Sequence, residues 1–289
     1  MINTASFTYS LATMAFLAVQ FQSVACSVAY YFDADSATPY VANHEDYWID
    51  QNVIIKIEPS KTDQYGRLWY GWDDFAQGGV NEHGLFFDGA VTPESTIPDG
   101  YGPPRGNLGD RILANCKTVQ EALDFLETER VALKDSHVMF GDRTGNAVVV
   151  EWLESNRSLT WISNGKLIMT NFHLGETRKQ ASGCPRYRSI DSRIDHLLSS
   201  GKTTSLLAVG NTLGGAARIP IESAGGRLVG TLYSTFIDLK KMKLVYVPQL
   251  DSTKARQFDL DREFSSAKGR KITVNRVSRA PGYRFHKAR

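Results

Sequence analysis

The chain has 289 residues, of which 42% are hydrophobic and 11% aromatic, so it is long enough to bury a sizeable core. Its formal net charge of +2 is too small to favour a nucleic acid partner. No apolar run after the N-terminal segment reaches the roughly 18–20 residues of a membrane span, and no Cys/His spacing suggests a metal or a cofactor, so we predict a soluble protein without either.

The first predicted element is a secretory leader over residues 1–25. A short apolar core runs over Leu11–Val19, and the small residues Ser23 and Ala25 follow it, as in a signal peptide with an A-x-A-like cleavage site. Cleavage after Ala25 would leave Cys26 as the first residue of a secreted or periplasmic protein. The leader departs from the usual pattern in having no Lys or Arg before its apolar core.

A cysteine freed in this way carries its thiol and an α-amine on one carbon. The α-amine titrates near ~7.7–8.0 and can act as the base that activates the thiol. Two alternatives stay open: Cys26 is lipid-modified, although Ser23 replaces the Leu-like residue of a lipobox, or Cys26 is an ordinary buried thiol. The other two cysteines, Cys116 and Cys184, can pair in an oxidising compartment or remain free.

Strand patterns dominate the chain up to residue 91. Residues 26–33 and 40–48 predict a hairpin that returns the segment Asn43–Asp46 to the N-terminal cysteine. Three further strand segments are predicted at 52–60, 67–72 and 78–91. The glycines around Asn81 indicate a tight turn, and the Pro- and Gly-rich segment 92–104 indicates a surface loop at the rim of a site.

Helical spacing first occurs at 110–116 and 118–130, and the second segment starts with a capping box from Thr118 to Glu121. The remaining predicted elements are strands at 137–152, 158–163 and 166–173, helices at 187–200 and 203–214, and a closing hairpin at 227–239 and 243–248. This segregated order of strands and helices predicts an α+β layered fold. The basic segment 268–289 is predicted to be a flexible C-terminal tail.

An amide hydrolase that works through a thiol needs donors for the oxyanion and a group that anchors the amine, besides its nucleophile and base. Asp46 follows the hairpin that returns to Cys26, Asn81 lies in the Gly-bracketed turn, Asn171 ends an apolar strand, and Arg186 precedes a helix. Each also has a structural interpretation as a turn residue, a salt-bridge partner or a solvated charge. The four residues are therefore candidates that gain weight only as an ordered set.

As an ordered set, the motifs resemble a known superfamily. The motifs are ACSVAYYF, NHEDYW, GGVNEHGLFFDG, HVMFGDRTGNAVVVEW, MTNFHL, PRYR and TLYSTFIDLKKMKLVYV. They resemble the N-terminal-nucleophile hydrolases of linear amide C–N bonds, which include penicillin V acylases, choloylglycine (bile salt) hydrolases and acyl-CoA:6-aminopenicillanate acyltransferases. The resemblance runs from Cys26 to about Glu263 and implies a four-layer αββα fold, with a catalytic domain over residues 26–267.

By position, the resemblance implies that Cys26 is the nucleophile and that its own α-amine is the general acid and base. Asp46 would fix the thiol and the amine, and Asn81 would donate to the oxyanion. Asn171 and Arg186 would order the amine and the network around it.

One departure from the family pattern concerns the acid. Many relatives carry an Arg three residues before the Asp, whereas this chain has Asn43 there. An alternative register makes Glu45 the matching acid in place of Asp46.

The predicted activity is hydrolysis of a linear, non-peptide amide through an S-acyl intermediate, without a cofactor. Six aromatic residues suggest an apolar acyl pocket, or else they pack the sheets: Tyr47, Trp48, Trp69, Tyr70, Phe86 and Phe87. The predicted substrate contacts are Asn43, His44, Tyr47, Trp48 and Phe87. An acyltransferase, a dipeptidase-like enzyme and a secreted or lipid-anchored binding protein are the alternatives, and a homo-oligomer is compatible with each.

Overall fold

The computed structural model describes residues 26–175, 183–200, 204–223 and 226–274. Within these residues the chain forms two antiparallel sheets and five α-helices. The predicted leader over residues 1–25 lies outside the described residues. None of the described helices has the length and apolarity that a membrane span requires.

The first sheet, sheet A, carries the N-terminal hairpin. Its strands are β1 (Ser27–Asp33), β2 (Thr38–Trp48), β10 (Lys166–Met169), β11 (Ile221–Glu222), β12 (Leu228–Asp238), β13 (Lys243–Pro248) and β14 (Arg256–Asp259). Their order across the sheet is β10-β1-β2-β12-β13-β14, with β11 paired to β12. The predicted hairpin that returns residues 43–46 to Cys26 is therefore confirmed, because β1 and β2 are direct neighbours.

The second sheet, sheet B, contains the remaining strands. They are β3 (Val53–Glu58), β4 (Arg67–Trp72), β5 (Phe75–Asn81), β6 (Phe86–Val91), β7 (Ser136–Gly141), β8 (Ala147–Leu153), β9 (Asn156–Trp161) and β15 (Arg270–Val274). Their order is β15-β3-β4-β5-β6-β7-β8-β9. Strand β15 pairs with β3, so residues 270–274 of the predicted tail belong to the sheet, and residues 275–289 of that tail lie outside the described residues.

The first four of the five described helices cover the outer faces of the sheets, and the last packs against the core between them. The five helices are α1 (Leu108–Asn115), α2 (Val119–Thr128), α3 (Pro185–Ser199), α4 (Leu206–Thr212) and α5 (Leu260–Phe264). The first four confirm the predicted helices, and α5 was not predicted. The hydroxyl of Thr118 caps α2 by accepting the N–H of Glu121, as the capping-box prediction requires.

Alternation along the strands produces the layers. On β1, Val28 and Tyr30 face the core between the sheets, whereas Ala29 and Tyr31 face the core beneath α3 and α4. A third apolar core lies between sheet B and helices α1 and α2. Burying a large apolar side chain stabilises a fold by about 1.5–3 kcal/mol, so strands that are buried on both faces hold the two sheets and the helices together. The four-layer αββα prediction is confirmed.

Candidate active site

The β1–β2 hairpin brings Cys26 next to an acid. Ser27 pairs with His44, so the register sets Cys26 beside Glu45, and both side chains point into the space between the sheets. The Sγ of Cys26 lies 3.1 Å from Oε1 of Glu45, and both residues are buried. The alternative register of the acid motif is thus the one that the fold uses.

The carboxylate of Asp46 points to the other face of β2 and does not contact the thiol, which corrects the predicted contact between Asp46 and the sulfur. Successive side chains on a strand face opposite sides of the sheet, so Asp46 faces the helix layer when Glu45 faces the thiol. Its Oδ1 accepts a hydrogen bond from the hydroxyl of Thr231 at 2.7 Å. A β-bulge on β12, between Thr231 and Tyr233, lies opposite these two acids. Bulges are common next to active sites, where they aim side chains.

Burial controls the ionisation of this group of residues. Burial raises the pKa of the Cys26 thiol well above its usual range, and the carboxyl of Glu45 adds to the rise. Burial also raises the pKa of Glu45, and it raises the pKa of Asp46 to about 7. The thiol is therefore held in its neutral form, and it needs a nearby positive charge to become a thiolate at neutral pH.

Arg186 and Asn171, two of the predicted site residues, contact each other, and Arg186 also contacts Cys26. The guanidinium of Arg186 donates to the carbonyl oxygen of Cys26 at 2.6 Å and to the hydroxyl of Ser27 at 2.8 Å. It also donates to Oδ1 of Asn171 at 3.1 Å. The amide nitrogen of Asn171 in turn donates to the carbonyl oxygen of Val91 at 2.9 Å. One Arg thus joins helix α3 to Cys26 and to Asn171, which lies two residues after the end of β10.

A buried His–Glu pair, which the sequence analysis missed, holds the segment that carries this Asn. Nδ1 of His137 lies 2.8 Å from a carboxylate oxygen of Glu151, and Nε2 lies 2.7 Å from the carbonyl oxygen of Thr170. The same carboxylate accepts the backbone N–H groups of Leu174 and Gly175 at 2.9 Å. Both residues of the pair are fully buried, and only the pairing of β7 with β8 reveals that they meet.

Asn81 is not at the site, which corrects the oxyanion prediction. Its amide nitrogen donates to the carbonyl oxygens of Leu113 and Cys116, at 2.9 and 2.7 Å. Its Oδ1 accepts the backbone N–H groups of His83 and Leu85. The side chain therefore joins the β5–β6 turn to the end of α1, and its two N–H groups are already used.

A cavity of about 200 Å³ opens at the thiol and the Glu45 carboxyl. Tyr47 and Phe87, two predicted substrate contacts, line it, and Tyr47 stacks on Trp72 with ring centroids 4.6 Å apart. The other residues that line it are mostly apolar: Phe75, Ala76, Gln77, Gly89, Ala90, Val91, Pro104, Leu108, Gly109, Ile112, Leu133, Ser136, His137 and Val138. Such a wall favours binding of an apolar group next to the Cys26 thiol.

Three predicted substrate contacts do not line this cavity. The amide of Asn43 donates to the buried carboxylate of Asp88 at 2.9 Å. His44 is buried on the opposite face of β2, and burial lowers its pKa to about 4. Trp48 stacks against the guanidinium of Arg227, 4.5 Å from the ring centroid. Alternation on β2 explains the positions of His44 and Trp48, which face away from the space between the sheets, whereas Asn43 faces that space but is held by Asp88.

The aromatic cluster divides in the same way. Trp69 packs in the core beneath α1 and α2, whereas Tyr70 and Phe86 pack in the core between the sheets. These rings stabilise the fold and do not line the cavity. The cysteines Cys116 and Cys184 are free, and they lie at the ends of helices on opposite sides of the two sheets.

Comparison with known proteins places this geometry in a family. Residues 76–248, more than half of the chain, match the family model described as acyl-coenzyme A:6-aminopenicillanic acid acyl-transferase. A comparison with curated protein sequences finds no match.

Solved structures share the fold across most of the chain. A variant of the conjugated bile acid hydrolase from Clostridium perfringens aligns with a TM-score of 0.67 and 16% identity, covering 86% of this chain and 97% of that one. Penicillin V acylase from Agrobacterium tumefaciens aligns with a TM-score of 0.63 and 19% identity, covering 85% and 90%. An N-acylethanolamine-hydrolyzing acid amidase ortholog from Caenorhabditis elegans aligns with a TM-score of 0.53 and 14% identity, covering 86% and 100%.

Proposed function

The chain belongs to the acyl-coenzyme A:6-aminopenicillanic acid acyl-transferase family of N-terminal-nucleophile enzymes, and on this premise we propose that it hydrolyses a linear amide through Cys26. The proposal includes cleavage after Ala25, in a secreted or periplasmic setting, so that Cys26 becomes the first residue. One observation carries it: the thiol lies 3.1 Å from the Glu45 carboxylate at the end of an apolar cavity.

Electrostatics supports the cleavage step. While Ala25 precedes it, the nitrogen of Cys26 is a neutral peptide nitrogen. Cleavage converts that nitrogen into an amine, which can carry a positive charge beside the two buried acids, Glu45 and Asp46. A cation there favours the carboxylates and the thiolate over their neutral forms and so opposes the effect of burial. The Arg186 bond to the Cys26 carbonyl oxygen fixes the backbone on which the new amine would lie.

The reaction follows from these positions. The amine takes the proton of the Cys26 thiol, and the sulfur attacks the amide carbonyl carbon. One N–H of the Asn171 amide is used by Val91, and we propose the second N–H as an oxyanion donor in place of Asn81. The ammonium then protonates the leaving nitrogen, the C–N bond breaks and a thioester remains. Water, deprotonated by the same amine, hydrolyses the thioester and regenerates the thiol.

The cavity limits the acyl group. A cavity of about 150 Å³ lined by apolar side chains holds one benzene molecule. The space beside Cys26, about 200 Å³, therefore fits one aromatic ring with a short linker, or a short alkyl chain, better than the four fused rings of a steroid. We propose aryl-acetyl or short-chain fatty acyl amides as substrates.

Transfer of the acyl group to a second amine is the alternative outcome of the same thioester. The description of the matching family, an acyl-transferase, supports this alternative. The two activities differ in the acceptor alone, so the ratio of free acid to new amide, measured with and without an added amine, distinguishes them.

The test combines intact mass with activity, using protein purified from a secreting host. We expect a chain that begins with unmodified Cys26 and releases free acid from phenylacetyl or hexanoyl amides. Cys26→Ala should lower turnover at least about 1,000-fold, because it removes the nucleophile. Cys116→Ala, which removes a buried thiol away from the cavity, is the matched control and should keep activity. Full turnover by Cys26→Ala, or by protein with its leader retained, would overturn the proposal.

A further inference from the structure

Two central strands of sheet B, β5 and β6, are paired over only part of their length. Strands β5 and β6 pair at three positions, from Val80 and Phe86 to Gly78 and Asp88. By contrast, β5 pairs with β4 at six positions, and β6 pairs with β7 at six. The remaining residues of β5 and β6 are not paired with each other, while each strand stays paired on its other side. We call the gap between them the β5–β6 slit; it is flanked by Ala76–Gln77 and Gly89–Val91.

The cavity has walls on both faces of sheet B at this slit. Cys26 and Glu45 belong to the space between the sheets, whereas Leu108 and Ile112 belong to α1 on the outer face of sheet B. The residues that flank the slit line the same cavity. The cavity therefore extends from one face of sheet B to the other, and residues on both flanks of the slit line it.

We propose that the β5–β6 slit is the acyl channel of this enzyme and that Gly89 determines how large an acyl group it admits. The inference rests on the proposed amidase function and adds a specificity-determining residue to it. The carbonyl carbon would stay at Cys26, and the rest of the acyl group would pass between β5 and β6 towards α1.

Gly89 differs from neighbouring glycines in what a side chain would meet. A Cβ at Gly79 would lie 2.6 Å from the carbonyl oxygen of Leu68, and a Cβ at Gly109 would lie 2.0 Å from the ring of Phe87. Those two glycines are required by packing. A Cβ at Gly89 would come no closer than 3.7 Å to any heavy atom outside its chain neighbours, which is an ordinary contact distance.

The backbone around Gly89 can therefore accept a larger residue. Alternation along β6 sets Gly89 on the same face as Phe87, so its side chain would enter the part of the cavity that lies towards α1. The missing side chain keeps the channel open and serves no packing requirement. A graded series of side chains at this position should shorten the channel step by step without straining β6.

The main experiment measures kcat/KM of the processed enzyme and its Gly89→Ala, Gly89→Val and Gly89→Leu variants. The substrates are acetyl, butyryl, hexanoyl and phenylacetyl p-nitroanilides. Gly89→Leu should lower kcat/KM for hexanoyl and phenylacetyl substrates by about 10–100-fold, while acetyl changes by less than about 3-fold. Gly102→Leu adds the same side chain at a glycine with open space around it and should leave the whole profile unchanged. A Gly89→Leu loss that is equal for all acyl lengths, or absent for all, would overturn the channel.

A binding measurement separates this inference from the proposed function. Cys26→Ala protein is titrated calorimetrically with hexanoate and phenylacetate, with and without Gly89→Leu. Binding that Gly89→Leu weakens at least about 10-fold supports the channel even if no amide is hydrolysed. The channel is overturned if the Cys26→Ala protein with its native Gly89 does not bind these acids, or if adding Gly89→Leu leaves binding unchanged. This holds even if the enzyme proves to be an amidase. Thermal unfolding of each variant checks that the fold is kept.

Discussion

The two ends of the cavity are built from different interactions. At the thiol end, directional hydrogen bonds join Cys26 to Glu45, and Arg186 to both Cys26 and Asn171. At the far end, Leu108 and other apolar side chains surround the space behind the β5–β6 slit. Hydrogen bonds weaken steeply with distance and angle, whereas burial of apolar surface has no direction.

This difference indicates that turnover and acyl selectivity are set by separate parts of the molecule. A small change at the thiol end should lower kcat for every substrate, because it alters the reacting atoms or their partners. A change of volume at the far end should instead reorder substrates by the size of their acyl group. A variant at the thiol end that changed acyl selectivity without lowering kcat would contradict this division.

The largest effect at the thiol end after loss of Cys26 itself is expected for Glu45→Gln. It keeps the shape of the side chain but removes the carboxylate that faces the thiol, and we expect kcat to fall by about 100–1,000-fold. Asp46→Asn, the same change one residue along the strand, should cost less than about 10-fold, because Asp46 faces Thr231. The measurement is kcat on acyl p-nitroanilides, with intact mass to quantify the processed fraction. A larger loss for Asp46→Asn would return the acid role to that residue.

The choice between Glu45 and Asp46 also shows how much of the site can be predicted from the sequence. The motif around residues 43–46 can be located from its pattern, and the hairpin that carries it is predicted correctly. The choice between Glu45 and Asp46 depends on strand register, since a slip of one residue exchanges the two faces of β2. The register Ser27 to His44 was needed to decide it.

Other parts of the site depend on contacts between distant segments. Asn81 was predicted from a Gly-bracketed turn, and the turn exists, but its amide bonds to the end of α1 are not visible in the local pattern. His137 and Glu151 lie in separate strands that the hairpin brings together. The β5–β6 slit results from pairing that ends early, which apolar periodicity does not encode.

An intermediate effect is expected at Arg186. Arg186→Met removes the donors that hold the Cys26 carbonyl oxygen and the Asn171 amide, and we expect kcat to fall by about 10–100-fold. The KM should change by less than about 3-fold, because Arg186 does not line the cavity. Arg186→Lys should recover only part of the loss, since one ammonium does not reproduce the planar guanidinium fork. A rise in KM with unchanged kcat would assign Arg186 to substrate binding instead.

The smallest effect concerns the pH dependence of the free energy of unfolding. It is expected from the thiol end of the cavity, because the buried carboxyls Glu45 and Asp46 lie there. Burial raises the pKa of Asp46 to about 7 from an ordinary value of 3.8. Between these pH values the folded state keeps a proton on Asp46, whereas the unfolded state releases it. The contribution of Asp46 to the free energy of unfolding is therefore complete below pH 3.8 and is lost as pH rises through about 7.

The free energy of unfolding of the uncleaved protein, measured by urea denaturation, should decrease between about pH 4 and pH 7. In the Asp46→Asn variant this decrease should be smaller by on the order of 1–4 kcal/mol. Gly102→Leu, outside the buried acids, should leave that slope unchanged. In cleaved protein the slope should also be shallower, because the freed amine favours the carboxylate. A steeper fall after cleavage would mean that the new amine does not lie beside Asp46, and the electrostatic argument for processing would then fail.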